Sequence, residues 1–380
     1  MSLLNYIIWS VHPEILPSVS WFPPRWYGLL FALSFIFGMQ LMTYMYKKEG
    51  KPVKDVDSLL IYSIFAVVLG ARLGHMFFYQ PMETLKDPLS ILYIWNGGLA
   101  SHGAAIGIIT GMYLYSNYDI NLNPSSFKWK KRKKEGQSFL YVMDRVVITV
   151  ALAGCLIRLG NFVNSEIIGK PTDSDYGVVF AFTTKNAIKE GFNEGIVKDV
   201  EFKKGDANTS ADNQYVPIQI DVTFKRGLEK PDIEERIKYI KNRVFTRLDV
   251  RPHIAQKSFE DFNYEIQTEN SDGPVAKLYV NGISRHPAQL YESATSLLIF
   301  VILFLIWYKH RVKTQEGLLF SLMLILLFTF RFIHEFFKEN QEAFENNMSL
   351  NMGQWLSIPL AILGIILLFN LKKFNKPKST

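Results

Sequence analysis

The sequence has little of what disulfide-linked, metal-binding or processed secreted proteins need. It contains one cysteine, Cys155, in 380 residues, which excludes an intrachain disulfide framework and a cysteine-rich metal site. Cys155 lies in an apolar run, and we interpret it as a packing residue because a buried free thiol behaves as a small apolar side chain. No positively charged stretch precedes the first apolar run and no small-residue cleavage site follows it, so we expect no cleaved signal peptide.

Charge is also scarce in about seven long apolar runs, each of about 20 residues, which is enough to cross a bilayer as a helix. The runs begin near Trp26, Leu59, Leu99, Phe139, Leu290, Gly317 and Gly353. Mean hydropathy is only +0.07 because a polar stretch over 170–285 dilutes them. We predict an all-α polytopic membrane protein of about seven transmembrane helices, with a small extramembrane α/β insertion.

Lysine and arginine collect in alternate loops between these runs. They follow the first, third and fifth runs and close the chain: Lys47, Lys48, Lys51, Lys54; Lys128, Lys130, Lys131, Arg132, Lys133, Lys134; Lys309, Arg311, Lys313; Lys372, Lys373, Lys376, Lys378. Since cytoplasmic loops carry the excess of cations, we predict the N-terminus and the insertion outside and the C-terminus inside. The clusters could instead be nucleic-acid patches, but each adjoins an apolar run, so topology reinforced by anionic lipid is the better interpretation and no nucleic-acid partner is expected.

Three segments follow from this pattern. Segment 1–169 holds the first four predicted spans after an interfacial N-terminal stretch, 170–285 is the insertion, and 286–380 holds the last three spans and a basic tail. Within the insertion, alternation over 214–224 and 276–280 predicts strands, and apolar spacing over 233–244 predicts an amphipathic helix. Segment 87–98 is too short to cross alone and is interpreted as a re-entrant or interfacial loop.

The stretch 158–169 is the most informative part of the chain. Arg158, Asn161, Asn164 and Glu166 place a cation, two amides and a carboxylate at the end of an apolar run. An isolated Arg there would satisfy helix-end carbonyls or reach the interface. With the amides and Glu166 beside it, a site for a phosphate or other anion is favoured, because the planar guanidinium matches phosphate oxygens.

Polar residues recur in other apolar runs, and their number favours one polar cavity within a helical bundle. Arg331 and Glu335 share a helix face at i and i+4, either as a private ion pair or with Arg331 as a second cation for the phosphate. His102 lies among glycines and is either structural or a general base. Tyr27, taken alone, is typical of an aromatic belt at the interface.

These residues resemble the signature of bacterial phosphatidylglycerol–prolipoprotein diacylglyceryl transferases. The match comprises Arg158, Gly160, Asn161, Phe162, Asn164, Glu166 and Gly169. Further family-like blocks occur in order: Trp26-Tyr27-Gly28, Gly70 to Gly74 around Arg72, Gly97-Gly98 with His102-Gly103, Arg285-His286-Pro287 with Gln289 to Glu292, Arg331 with Glu335, and Met352-Gly353-Gln354. The chain departs from the family pattern at Leu156 and Ala104, where glycine is expected, and in the length of its insertion.

The resemblance implies that the chain moves a diacylglyceryl group from phosphatidylglycerol to the lipobox cysteine in the signal peptide of a preprolipoprotein, giving a thioether and glycerol phosphate. It implies the catalytic residues His102, Arg158 and Arg331, with His102 as base and the arginines on the phosphate. Phosphatidylglycerol would be bound by Arg158, Asn161, Glu166, Tyr27, Glu335, Gly169 and Arg72, with Glu335 also orienting Arg331. No metal or cofactor is expected, and we expect a monomeric multi-pass protein of the bacterial cytoplasmic (inner) membrane.

Three other classes remain open on the residues alone. A lipid flippase or transporter would use the same intramembrane arginines but predicts inverted repeats, which are not found in the sequence. An intramembrane protease would need a serine or paired aspartates on the spans, and Ser101 beside His102 lacks a nucleophile-elbow context. A structural scaffold would not need so many costly ionisable groups.

Overall fold

The computed structural model describes residues 6–17, 23–78, 80–93, 98, 100–121, 128–131, 134–174, 176–192, 195–205, 215–255, 262–268, 270, 272–340, 345 and 347–374. The N-terminal aromatic residues Trp21 and Phe22 and most of the Gly-rich end of the predicted re-entrant loop lie outside these residues.

The described chain is mostly helical. Its helices are α1 Trp26–Lys48, α2 Lys54–Phe78, α3 Pro81–Lys86, α4 Ser101–Asn117, α5 Phe139–Val163, α6 Phe182–Glu190, α7 Lys230–Tyr239, α8 Ala288–His310, α9 Leu318–His334 and α10 Met352–Phe374. The strands are β1 Ile7–Trp9, β2 Tyr118–Asn121, β3 Lys128–Lys131, β4 Val178–Phe180, β5 Val197–Lys204, β6 Tyr215–Phe224, β7 Asn263–Gln267 and β8 Val275–Ile283.

Among the described residues, 5 helices are long and apolar enough to cross a membrane: Trp26–Lys48, Lys54–Phe78, Phe139–Val163, Ala288–Lys313 and Met352–Lys372. A sixth apolar helix, Leu318–His334, is shorter, and α4 has 17 residues. The prediction of a polytopic membrane protein is therefore confirmed. The count of seven spans and their orientation stay predictions.

Contacts between Cα atoms divide the chain into two compact units. The first unit comprises Met1–Leu30, Ile157–Ser293 and Ile333–Asn351, and the second comprises Phe31–Leu156, Ala294–Phe332 and Met352–Thr380. The sequence division at 169/170 and 285/286 rests on membrane and extramembrane character and stays a prediction.

In the second unit, α2 and α4 pack through glycines. A Cβ atom added to Gly103 would lie 2.2 Å from the Gly70 carbonyl oxygen, and one added to Gly74 would lie 2.7 Å from Gly103 Cα. Small residues at spacing of four allow such close backbone approach between membrane helices. The close contact between α2 and α4 therefore depends on these glycines, which have no side chain to separate the two backbones.

The second unit also buries an ion pair outside the predicted site. Arg145 Nη2 lies 2.8 Å from Glu49 Oε1, and both side chains are 0% exposed. Trp307 Nε1 donates to the same Glu49 oxygen at 2.7 Å. Buried charges persist when paired and hydrogen-bonded, so this pair is explained as a structural one.

The first unit contains the insertion. Its four-stranded antiparallel sheet has the order β5-β6-β8-β7, with α6 and α7 supplying buried residues to its core. The predicted strands over 214–224 and 276–280 correspond to β6 and β8, and the predicted helix corresponds to α7 with a wider continuation over Ile240–Val244. The N-terminal strand β1 pairs in parallel with β4.

The two ends of the insertion lie side by side in the first unit. The Thr172 amide donates to the Ser284 carbonyl at 2.9 Å, and Val178 and Arg285 exchange backbone hydrogen bonds at 2.9 and 3.0 Å. The Arg285 guanidinium donates to the Gly169 carbonyl at 2.9 Å. Burial lowers the pKa of Arg285, an effect that its ion pair with Glu339 opposes. Arg285 thus fastens the insertion to the end of the stretch 158–169.

Candidate active site

The stretch 158–169 leaves helix α5 along a strained path in the first unit. Ser165 and Ile167 have φ angles of 58° and 55°, a region that non-glycine residues, above all β-branched ones, seldom adopt. Backbone hydrogen bonds hold this path, among them Glu166 N to Asn161 O at 2.9 Å. Strain of this kind costs about 1–2 kcal/mol per residue and is concentrated at functional sites.

The strained turn brings the polar residues of the stretch together. Arg158 Nη1 donates to Asn161 Oδ1 at 3.3 Å, and Asn161 Nδ2 donates to Glu166 Oε2 at 3.3 Å. The second Glu166 oxygen, Oε1, accepts from Asn164 Nδ2 at 3.2 Å. Each amide therefore has a fixed orientation, because a guanidinium only donates and a carboxylate only accepts.

The line of contacts continues from Arg158 to residues on later elements. Arg158 Nε forms an ion pair with Glu292 Oε2 on α8. Lys338 Nζ lies 3.3 Å from Glu292 Oε1 and 3.0 Å from Glu335 Oε1. Asn351 Nδ2 donates to Glu335 Oε2 at 3.1 Å. We call this connected set the Arg158 network: Glu166, Asn161, Arg158, Glu292, Lys338, Glu335 and Asn351.

The sequence alone assigns no role to two members of this network, Lys338 and Asn351. The Lys338 side chain is 4% exposed, and its backbone bridges to Gly169. Helix α9 ends at His334, so Glu335 is the first residue after the helix, and its sharing of a face with Arg331 stays a prediction. The sequence did hold a signal, because Lys338 stands three residues after a candidate site carboxylate.

Tyr27 and Gly169 also lie in the first unit. A Cβ atom on Gly160 would lie 3.1 Å from Tyr27 Cα, so this glycine lets the start of α1 approach α5, and Tyr27 is near enough to interact electrostatically with Glu166 and Arg158. A Cβ atom on Gly169 would lie 2.3 Å from the His286 carbonyl oxygen. The structure thus gives Gly169 a packing role, and its predicted contact with lipid stays a prediction.

His102, Arg331 and Arg72 lie in the second unit. His102 is half-buried in the first turn of α4 with its ring against Phe78 at a centroid distance of 5.7 Å, and Arg331 is near enough to act on it electrostatically. Arg72 donates to the carbonyls of Ser90 at 2.6 Å, Ile91 at 3.2 Å and Gly98 at 3.4 Å. Arg72 therefore holds the loop after α3, and its lipid-binding role stays a prediction.

Residues 14–370 match the sequence model of a family described as prolipoprotein diacylglyceryl transferase. The chain belongs to this family. It is 32% identical to the phosphatidylglycerol–prolipoprotein diacylglyceryl transferase of Chloroherpeton thalassium, over 97% of this chain and 96% of the relative. The transferase of Tolumonas auensis is 32% identical over 95% and 96%, and that of Bacteroides fragilis is 29% identical over 97% and 96%.

Membership in the prolipoprotein diacylglyceryl transferase family decides between the interpretations left open by the residues. The match covers the membrane helices and the insertion together, so the long insertion does not mark a different class of protein. The transporter, protease and scaffold alternatives lose their support, and the Arg158 network is the arrangement to be explained in terms of diacylglyceryl transfer.

Proposed function

We propose that the chain transfers the diacylglyceryl group of phosphatidylglycerol to the lipobox cysteine of preprolipoproteins, and that Arg158 holds the lipid phosphate. The family match over nearly the whole chain carries the reaction. The Arg158 network supports the assignment of the phosphate, because it presents a guanidinium backed by a carboxylate and an amide at the end of a membrane helix.

In the proposed reaction, the substrate thiolate attacks the diacylglyceryl carbon that is bonded to the phosphate oxygen. A carbon–sulfur bond forms, the carbon–oxygen bond breaks, and its electron pair leaves on the phosphate of glycerol phosphate. A free thiol has a pKa of about 8.5, so a base is needed near neutral pH. We assign proton removal to His102, and Arg331 is its electrostatic neighbour in the second unit.

Charge developing on the leaving phosphate is the largest electrostatic demand of this reaction. Fixed cations in a site with little water stabilise such charge strongly. We propose Arg158 and Arg331 for this task, with Asn161, Glu166 and Tyr27 positioning the headgroup.

We further propose seven spans with the N-terminus and insertion outside the cytoplasm, a monomer, and residence in the bacterial inner membrane. The alternate-loop distribution of lysine and arginine supports this orientation. Donor lipid and signal peptide would both reach the site from within the bilayer.

The test uses purified protein in vesicles containing phosphatidylglycerol, with a lipobox peptide weighed by mass spectrometry. The peptide should gain the mass of a diacylglyceryl group. Arg158→Ala should abolish this gain while the protein remains folded, whereas Arg247→Ala, which removes an arginine with a 41% exposed side chain from the insertion surface, should not. Modification by Arg158→Ala at the normal rate would remove Arg158 from the site.

A further inference from the structure

Arg158 is already occupied by a carboxylate in this structure. Its Nε pairs with Glu292 Oε2 and its Nη1 donates to Asn161, so an anionic headgroup that binds the Nε edge of the guanidinium competes with Glu292. The Arg158 network contains two cations, Arg158 and Lys338, and three carboxylates, Glu166, Glu292 and Glu335, so its formal charge is −1. An anionic lipid is therefore disfavoured unless Glu292 has another cation to turn to.

Lys338 meets this requirement. Glu292 divides its two oxygens between two cations, with Oε2 on Arg158 and Oε1 at 3.3 Å from Lys338 Nζ. The ammonium lies closer to Glu335, at 3.0 Å. Glu335 is itself fixed on its other oxygen by Asn351. Lys338 thus has a firm partner on one side and a looser contact with Glu292 on the other.

The backbone keeps Lys338 in this place. Lys338 forms an antiparallel bridge with Gly169, the Lys170 amide donates to the Phe337 carbonyl at 2.8 Å, and the Glu339 amide donates to the Ile168 carbonyl at 3.3 Å. The residue is 3% exposed. The loss of a buried ammonium that pairs with carboxylates would leave those carboxylates uncompensated.

We propose that Lys338 is a positioning residue for lipid binding: it takes over Glu292 when the lipid phosphate displaces that carboxylate from Arg158. A short shift of the Glu292 side chain then exchanges one ion pair for another, and no carboxylate is left buried without a cation. This inference rests on the proposed assignment of Arg158 to the lipid phosphate. Lys338, the cation that follows α9, would then contribute to the affinity for phosphatidylglycerol.

A purely structural role for Lys338 predicts something different. If Lys338 only held segment 333–351 against the stretch 158–169, removing Glu292 in addition could not repair its loss. If Lys338 acts by receiving Glu292, the loss matters only while Glu292 competes for Arg158. The two roles therefore differ in the double variant.

The experiment measures the KM for phosphatidylglycerol, as its mole fraction in vesicles, together with kcat on a lipobox peptide. Lys338→Met should raise KM by about tenfold or more, in line with couplings measured for close charge pairs, with a smaller change in kcat. Lys338→Arg should recover most of the affinity. Glu292→Gln with Lys338→Met should return KM to within about threefold of Glu292→Gln alone.

An unchanged KM for Lys338→Met, or a double variant as weak as Lys338→Met alone, would overturn the proposal. If Lys338→Met does not fold, Lys338→Met combined with Glu335→Gln removes the buried pair together, and the proposal still requires a raised KM. Where kcat is too low, lipid binding is measured directly by native mass spectrometry. Full activity of Arg158→Ala would refute the proposed assignment of Arg158 to the lipid phosphate, whereas an inactive Arg158→Ala with a normal Lys338→Met refutes only this inference.

Discussion

The orientation of the amides around Glu166 leads to a sharp prediction about exchanging hydrogen-bond roles. Asn161 accepts from Arg158 through Oδ1 and donates to Glu166 through Nδ2 at 3.3 Å. Asn161→Asp keeps the acceptor for Arg158 but places a carboxylate oxygen where the donor was. Two carboxylate oxygens 3.3 Å apart repel by between about 1 kcal/mol in water and about 5 kcal/mol at an effective dielectric constant of about 20.

Glu166 is exposed and Arg158 attracts the new charge, so the lower part of that range applies, and we expect Asn161→Asp to lose about tenfold in rate. Glu166→Gln added to Asn161→Asp supplies a donor to the new carboxylate and removes the repulsion. The double variant should therefore recover at least half of the lost activity on a logarithmic scale.

The assay is the initial rate of peptide lipidation in phosphatidylglycerol vesicles for the wild type, both single variants and the double variant. Glu166→Gln alone is the matched control, and it should lose less than Asn161→Asp because Asn164 can turn its amide to accept from the new donor. The Asn164 Oδ1 atom, which would then accept, is buried without a hydrogen-bond partner among the described residues. A double variant no better than Asn161→Asp would refute the assigned orientation of these amides.

Two further predictions concern the first unit. Gly169→Ala should destabilise the protein by about 1–3 kcal/mol and abolish lipidation, because its Cβ would lie 2.3 Å from the His286 carbonyl oxygen. The control is Gly38→Ala, whose Cβ would meet Thr149 Cβ among the described residues at an ordinary contact distance of 3.6 Å. Thermal unfolding and the lipidation assay check both variants. Burial lowers the pKa of His253 from 6.5 to about 4. Between these pH values the unfolded insertion binds a proton at His253 and the folded insertion does not. The free energy of unfolding should therefore fall by about 3 kcal/mol as the pH drops through that window. Hydrogen exchange in β8 should report this loss, and an equal pH slope in His253→Gln would contradict it.

The sequence was sufficient for the parts of the fold that depend on local patterns. Apolar runs located the long helices because a span needs a continuous apolar stretch. The alternation of apolar and polar residues in the sequence predicted β6 and β8, and buried residues occur along the length of both strands. The clustering of Arg158, Asn161 and Glu166 could also be anticipated, since they lie within a few residues of one another.

Features that depend on chain reversal could not be predicted in this way. Lys338 joins the Arg158 network because the backbone turns after α9 and pairs with Gly169. The described hydrogen bonds of Arg72 go to loop carbonyls that only the folded chain places there, and its predicted contact with lipid stays a prediction. The edge strands β5 and β7 carry mixed exposure patterns, so their periodicity was too weak to detect.

The adjacent ends of the insertion have a consequence for how this region can change. Adjacent hydrogen-bonded strands are only about 4.8 Å apart, and the pairing of Thr172 with Ser284 holds the incoming and outgoing backbone at such a separation. A domain whose N- and C-termini lie close together could therefore replace the sheet without separating Thr172 from Ser284, as in other tolerated domain insertions. The paired backbone beside Gly169 is thus a suitable place to insert a foreign domain into the enzyme.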